Sequence, residues 1–235
     1  LETDDAEIME MILEAGAKIE DVDEVNGMTY LLIYAIRNGK IRIIQFLLDK
    51  GADIEKDNKG ITPLIYAVRM ANMENMENIK IIQLLLDNGA DPDKANATNG
   101  MTPLLYAAIK ENIQDKENKE NMKIIQLLLK KGAKPNKTDI NGNTALIFAV
   151  EKENMEIIQL LLSKGADPGL ATKEKNTALM FAVAKENIKI VEMLLKTNKS
   201  NPGLLDINGN TALIDAVYLG NIAIVKTLLG HNESN

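Results

Sequence analysis

Apolar residues along this chain come in paired runs, and each pair has the same layout. A stretch such as "TPLIYAV" (62–68) or "TALIFAV" (144–150) is followed, after a short polar segment, by a run such as "IIQLLL" (81–86, 124–129, 157–162). In the second type of run Ile157, Ile158, Leu161 and Leu162 fall on one face at helical spacing while Gln159 points away, which predicts an amphipathic helix. The first type opens with Thr, a good N-cap, and twice with Pro in the first helical turn, so a helix is expected to start there as well. Gly165 then stands where a left-handed C-terminal cap belongs, and Pro168 prevents continuation. Each unit therefore reads as two short antiparallel helices and a turn. Helices of about ten residues are marginal alone, so such units have to stack on one another to be stable.

The copies can be counted. "GITPLIYAV" (60–68), "GMTPLLYAA" (100–108), "GNTALIFAV" (142–150), "KNTALMFAV" (175–183) and "GNTALIDAV" (209–217) are close variants, and "GMTYLLIYAI" (27–36) is a looser one. From Ala35 through Ala67, Ala107, Ala149 and Ala182 to Ala216 the spacing is 32, 40, 42, 33 and 34 residues, a base period of 33. "IMEMIL" (8–13) is an orphaned second run with no first run before it. "GADI", "GADP" and "GAKP" close most units.

These motifs resemble the ankyrin repeat, and the resemblance extends over nearly the whole chain. It implies an all-α, ankyrin-repeat solenoid of stacked helix pairs with short connecting hairpins. The expected organisation is a single domain over 1–235: an N-terminal half-repeat at 1–20, about six repeats from 21 to 230 and a polar tail at 231–235. The resemblance also implies a concave surface of hairpin tips and first helices that holds another protein. One departure recurs: the histidine of the family's "TPLHxA" motif is replaced by Ile65, Leu105, Ile147, Met180 and Ile214, which predicts a more apolar junction between repeats.

Composition removes most chemistry. With no cysteine and one histidine, His231, there is no disulfide, thiolate site, histidine dyad or multi-histidine metal site. No phosphate-cradling glycine loop is present, and the chain is expected to be non-catalytic, without cofactor or metal. Residues 1–26 hold ten acids against Lys18 alone, so of the net −7 about +2 remains on everything else. That balance argues against a nucleic-acid partner. No apolar run approaches the roughly 18 residues of a membrane span, and a monomer is expected. Leu1 in place of Met suggests a piece of a longer protein, so the alternative to a free-standing scaffold is a targeting or recruiting segment of a larger enzyme or secreted effector.

Three features single out candidate binding residues. The two positions after "AV" of the first helix supply one cation per repeat in Arg37, Arg69, Lys110, Lys152 and Lys185, with Met70 and Tyr218 in the same columns. The resemblance places these in the groove, which suggests an acidic protein or peptide partner, although a cation near a helix C-terminus also complements the dipole. Hairpin tips add Asn58, Lys59, Ile61, Asn99, Met101, Asn141, Asn143, Lys173 and Glu174. Two insertions between helices, near 70–78 and 111–121, lack Gly and Pro and are expected to lengthen the helices into a lip bearing Met70, Met73, Met76 and Met122. Apart from these three, the first helices carry an aromatic column, Tyr34, Tyr66, Tyr106, Phe148 and Phe181, expected to fill the seam between repeats, with a binding strip as the alternative; it ends at Asp215, which reads as a wet terminal cap.

Overall fold

The structure is a computed structural model that describes residues 30–57, 60–71, 77–110 and 115–232. Among these residues there are twelve α-helices and no strand, arranged as the six expected pairs. In chain order they are α1 (Tyr30–Arg37), α2 (Ile41–Asp49), α3 (Pro63–Met70), α4 (Glu77–Asp87), α5 (Pro103–Ala108), α6 (Asp115–Lys130), α7 (Ala145–Glu151), α8 (Met155–Ser163), α9 (Ala178–Ala184), α10 (Ile188–Leu195), α11 (Ala212–Tyr218) and α12 (Ile222–Asn232). The half-repeat at 1–20 lies outside the described residues. The chain divides into two compact units, one of residues 1–107 with 116–133 and one of 108–115 with 134–235.

Within the first unit α1 packs on α2 and α3 on α4, while α1 also packs on α3 and α2 on α4. First helices thus stack on first helices and second on second. The second unit repeats the scheme: α7, α9 and α11 lie in contact in that order, each against its own partner α8, α10 or α12. The sequence dictates the starts. Thr62, Thr144, Thr177 and Thr211 each accept, on Oγ1, the N–H three residues on, at 3.2 to 3.4 Å. Second helices in the second unit are capped by Asn154, Asn187 and Asn221, whose Oδ1 atoms accept from Ile157, Ile190 and Ile224 at 3.1 to 3.3 Å. At the far ends Gly51, Gly89, Gly132 and Gly165 adopt positive φ, as helix-closing glycines do.

The cores are aliphatic. Leu64, Ile65, Ile81, Ile82 and Leu85 are fully buried in the first unit, and Ile147, Ile157, Ile158, Leu161 and Leu194 in the second. Of the residues that replace the motif histidine, Ile65, Leu105, Ile147 and Met180 are buried, whereas Ile214 is 38% exposed. A polar tie survives further out in the second unit. Glu153 and Glu186 sit in the turns between paired helices at φ +53° each. Their Oε2 atoms accept from the Nδ2 groups of Asn187 at 2.8 Å and Asn221 at 3.0 Å. Each joins the turn of one repeat to the cap of the next.

The lengthened helix expected from the second insertion is present, since α6 begins at Asp115 and runs for 16 residues, against 8 to 11 for α2, α4, α8, α10 and α12. Of the first insertion only its ends are described. Met73 and Met76 lie outside the described residues.

Candidate functional site

Hairpin tips and the ends of first helices hold the candidate residues, and the two units present them differently. In the first unit Arg37 is the last residue of α1 and is exposed. Arg69, also exposed, lies in the last turn of α3 with its guanidinium 5.5 Å from the centre of the Tyr106 ring of the next repeat. That phenol is fixed from below: its hydroxyl accepts from Asn96 Nδ2 at 3.3 Å and Asn99 Nδ2 at 3.1 Å. Asn99 also accepts the Met101 N–H on Oδ1 at 3.0 Å. Asn99 therefore works as a brace. Met101 is only 6% exposed, so it is not at the surface where a tip residue was expected. Ile61 and Met70 are half-buried. Asn58 and Lys59 lie outside the described residues.

In the second unit the tips are laced to each other. The Lys173 N–H donates to the Asn141 carbonyl at 2.8 Å, and the Ile207 N–H donates to the Glu174 carbonyl at 3.0 Å. Asn141, Lys173 and Glu174 are exposed on this ladder. Asn143 is spent internally, with its N–H and Nδ2 on the two oxygens of Asp139 at 2.8 and 3.0 Å. Lys152 and Lys185 are the C-cap residues of α7 and α9, so both serve a helix end as well as the surface. Between them in electrostatic terms stands Glu151, whose carboxyl is raised above its ordinary value by burial first, while Lys185 and Lys152 pull it down and Asp139 pushes it up. Burial pushes the Lys110 ammonium down to about 8. The column of cations is thus neither continuous nor unopposed. Arg37 and Arg69 occupy the first of the two positions after the helix motif, whereas Lys110, Lys152 and Lys185 occupy the second.

The aromatic column is graded rather than uniformly buried: Phe148 is buried, Tyr66, Tyr106 and Phe181 are half-buried and Tyr34 is exposed. At its end Asp215 is half-buried, and its carboxyl is raised by burial and then by Asp206. The face around it is not wet in the sense expected. Ile214, Val217, Tyr218, Leu219, Ile222 and Leu229 are all exposed in the last repeat, with Tyr218 at 81%. Tyr218 was expected at the surface; the other five, like the exposed tip residues Ile140, Leu205 and Ile207, were not singled out by the sequence pattern. The available signal was an isoleucine beside Asn141 and again beside Asn208, at tips where polar residues are usual.

Among the described residues no three or more His, Cys, Asp or Glu side chains gather as metal ligands, and no helix is long and apolar enough to cross a membrane.

Comparison with known proteins bears on the whole chain. A family model described as ankyrin repeats (3 copies) matches residues 2–96, 70–172, 116–203 and 164–235. Among solved structures, an ankyrin repeat domain from Acinetobacter baumannii AYE is 30% identical, covers 86% of this chain and 98% of its own, and superposes with a TM-score of 0.73. No curated protein matches the sequence significantly.

Proposed function

The chain belongs to the ankyrin repeat family, whose members are generally protein–protein interaction modules and typically non-catalytic, and from that premise we propose that it is a scaffold that holds a polypeptide against its hairpin tips and first helices. The observation that carries this reading is the surface of the second unit. Tyr218, Ile207, Leu219 and Ile140 are exposed apolar side chains on tips and helix ends of a unit whose first helices α7 and α9 are closed by the cations Lys152 and Lys185. Rigid aromatic and aliphatic side chains on a hydrogen-bonded ladder are the anchors that polypeptide interfaces use. Cations in the same unit favour a partner that carries acids as well as apolar residues. Arg37 and Arg69 extend the same preference to the first unit, and the protein acts as a monomer.

Selection from a displayed random-peptide library, followed by calorimetry on the selected peptides, tests this. Peptides enriched in both apolar residues and Asp or Glu are expected, with affinity that weakens as salt rises because exposed charges are screened within about 10 Å at 0.1 M ionic strength. Tyr218→Ala should weaken binding about tenfold, as loss of an aromatic anchor does. Joint reversal of Lys152 and Lys185 to Glu should abolish the preference for acidic peptides while leaving the fold intact. Peptides without acidic bias, or binding indifferent to all three changes, would remove the charge reading.

A further inference from the structure

The second helices of the last three repeats begin in one way. Asn154, Asn187 and Asn221 each donate the backbone N–H to the carbonyl of the first-helix alanine, Ala149, Ala182 and Ala216, at 3.0, 3.2 and 3.2 Å. Each also accepts on Oδ1 the N–H three residues on. Asn121 holds the same register, three residues before Ile124 and facing Ala107, the equivalent alanine. Yet α6 starts six residues earlier, at Asp115, so the N–H groups of Asn121 and Ile124 are taken up by carbonyls four residues back. The side chain has exchanged roles. Its Nδ2 now supplies the hydrogen bond to the Ala107 carbonyl, at 2.9 Å, that a backbone N–H supplies in the other repeats. Its Oδ1 is left buried, with no partner among the described residues, on a side chain that is 5% exposed.

A buried amide oxygen without a donor is costly and rare, and here the sequence retains the residue that would relieve it. In the shorter arrangement the Asn121 N–H returns to Ala107 and Oδ1 takes the Ile124 N–H, so every polar atom of the asparagine is used. The longer arrangement gains helix over the polar stretch "DKENKE" (115–120), where each added residue is worth little on its own. The two are therefore closely matched. Both tie Asn121 to the same Ala107 carbonyl, so passing between them changes the donor and keeps the anchor. We infer that α6 has two start points, Asp115 and Asn121, and that residues 115–120 are a helical arm that forms and melts against a latent N-cap. The inference stands on this hydrogen-bond exchange and is independent of the partner reading.

Residue-resolved amide exchange on the full chain tests it, because the two states leave different amides free. In the shorter form Lys119, Glu120, Met122 and Lys123 lose their hydrogen bonds, whereas Asn121 and Ile124 keep one in both forms. The expected pattern is alternating: protection at Asn121 and Ile124 at least tenfold above that at Met122 and Lys123. A helix that merely frays from Asp115 would show protection rising steadily from Lys119 to Ile124, and that result overturns the inference. Two variants act in opposite directions. Asn121→Leu, which can neither cap nor bury an unpaired oxygen, should raise protection at Lys119, Glu120, Met122 and Lys123. Asn121→Asp, a good cap that cannot donate to Ala107, should lower it. Equal patterns in both folded variants also refute the two-start reading, and if either variant fails to fold the pattern of the unaltered chain decides alone.

Discussion

Residues 141–150 and 208–217 differ at one position, Phe148 against Asp215, yet they live in different surroundings. Their local structure is the same. Thr144 and Thr211 cap α7 and α11 at φ −92° and −97° with ψ 166° in both, and each accepts the N–H of the isoleucine three residues on. Their burial is not. Ile147 and Val150 are 0% exposed, whereas Ile214 is 38% and Val217 61% exposed. Ten nearly identical residues thus encode a helix and its start by themselves, while burial is conferred by the repeat that packs against them. In α7 that is α9. Among the described residues no further helix pair follows α12.

The comparison can be broken most forcefully in the interior. Leu161 on α8 is fully buried, and Leu161→Ala should lower the free energy of unfolding by ~2–5 kcal/mol, measured by urea denaturation, because the packed seam cannot close over the cavity. A loss under half a kcal/mol would mean that the seam is loose and that burial is not what distinguishes interior from end. A sharper version uses one residue type in one register. Val150→Ala should cost ~2 kcal/mol, the worth of a buried valine side chain, whereas Val217→Ala should stay within ~0.5 kcal/mol, as surface changes do.

Turns give a third, smaller contrast. Gly142, Lys175 and Gly209 are equivalent positions, with φ of +84°, +62° and +82°. A methyl added at Gly142 would meet Thr172 Cα and the Lys173 nitrogen at 3.0 Å, while one at Gly209 meets nothing within 4 Å. Gly142→Ala should therefore cost clearly more than the ~1 kcal/mol of left-handed strain alone, and Gly209→Ala about that much. Lys175→Gly should stabilise by up to ~1 kcal/mol, since it removes a side chain from a conformation that favours glycine, partly offset by a more flexible unfolded chain. Thermal unfolding of the three variants ranks them. Equal effects at Gly142 and Gly209 would show that contact with the next hairpin is irrelevant.

What could be read from the sequence follows the same division. Helix pairs, threonine caps, closing glycines and the apolar residues in place of the motif histidine are all local or periodic, so the repeat spelled them out. The extra length of α6 was also legible, because "DKENKE" contains no breaker. The cost of that length was not. It appears only when Asn121 is compared with Asn154 in three dimensions, where one amide has changed hands. Binding positions fared less evenly. Arg69 and Lys185 are exposed as expected, but Met101 is buried, and Asn99 and Asn143 are braces for Tyr106 and Asp139. A tip residue's direction depends on hydrogen bonds that a one-letter pattern does not contain. Apart from Tyr218, the exposed apolar side chains of the last repeat were missed for the opposite reason: they spell an interior repeat.

The finest test of interior against end is the charge that distinguishes them. Asp215 occupies the place of Phe148, is half-buried, and its carboxyl is raised by burial and by the neighbouring Asp206. A carboxyl whose folded pKa exceeds its unfolded value of about 3.9 disfavours the folded state wherever it is ionised in both. As pH falls through the folded value, the native chain takes up the proton first, and the penalty fades until it vanishes below the unfolded value. Asp215→Asn should therefore be slightly more stable than the unaltered chain at pH 7, with the gap narrowing on acidification and closing below about pH 4. Asp206 titrates in the opposite sense, since the N–H groups of Asn210, Asn208 and Gly209 and the Asn208 side chain hold its carboxylate low. It does so in both proteins, so its own contribution largely cancels from the difference, and thermal melts from pH 3 to pH 7 isolate Asp215. A gap that stays constant across that range would place the effect in packing rather than charge. The end of the second unit would then differ from its interior only in having, among the described residues, no further helix pair packed against it.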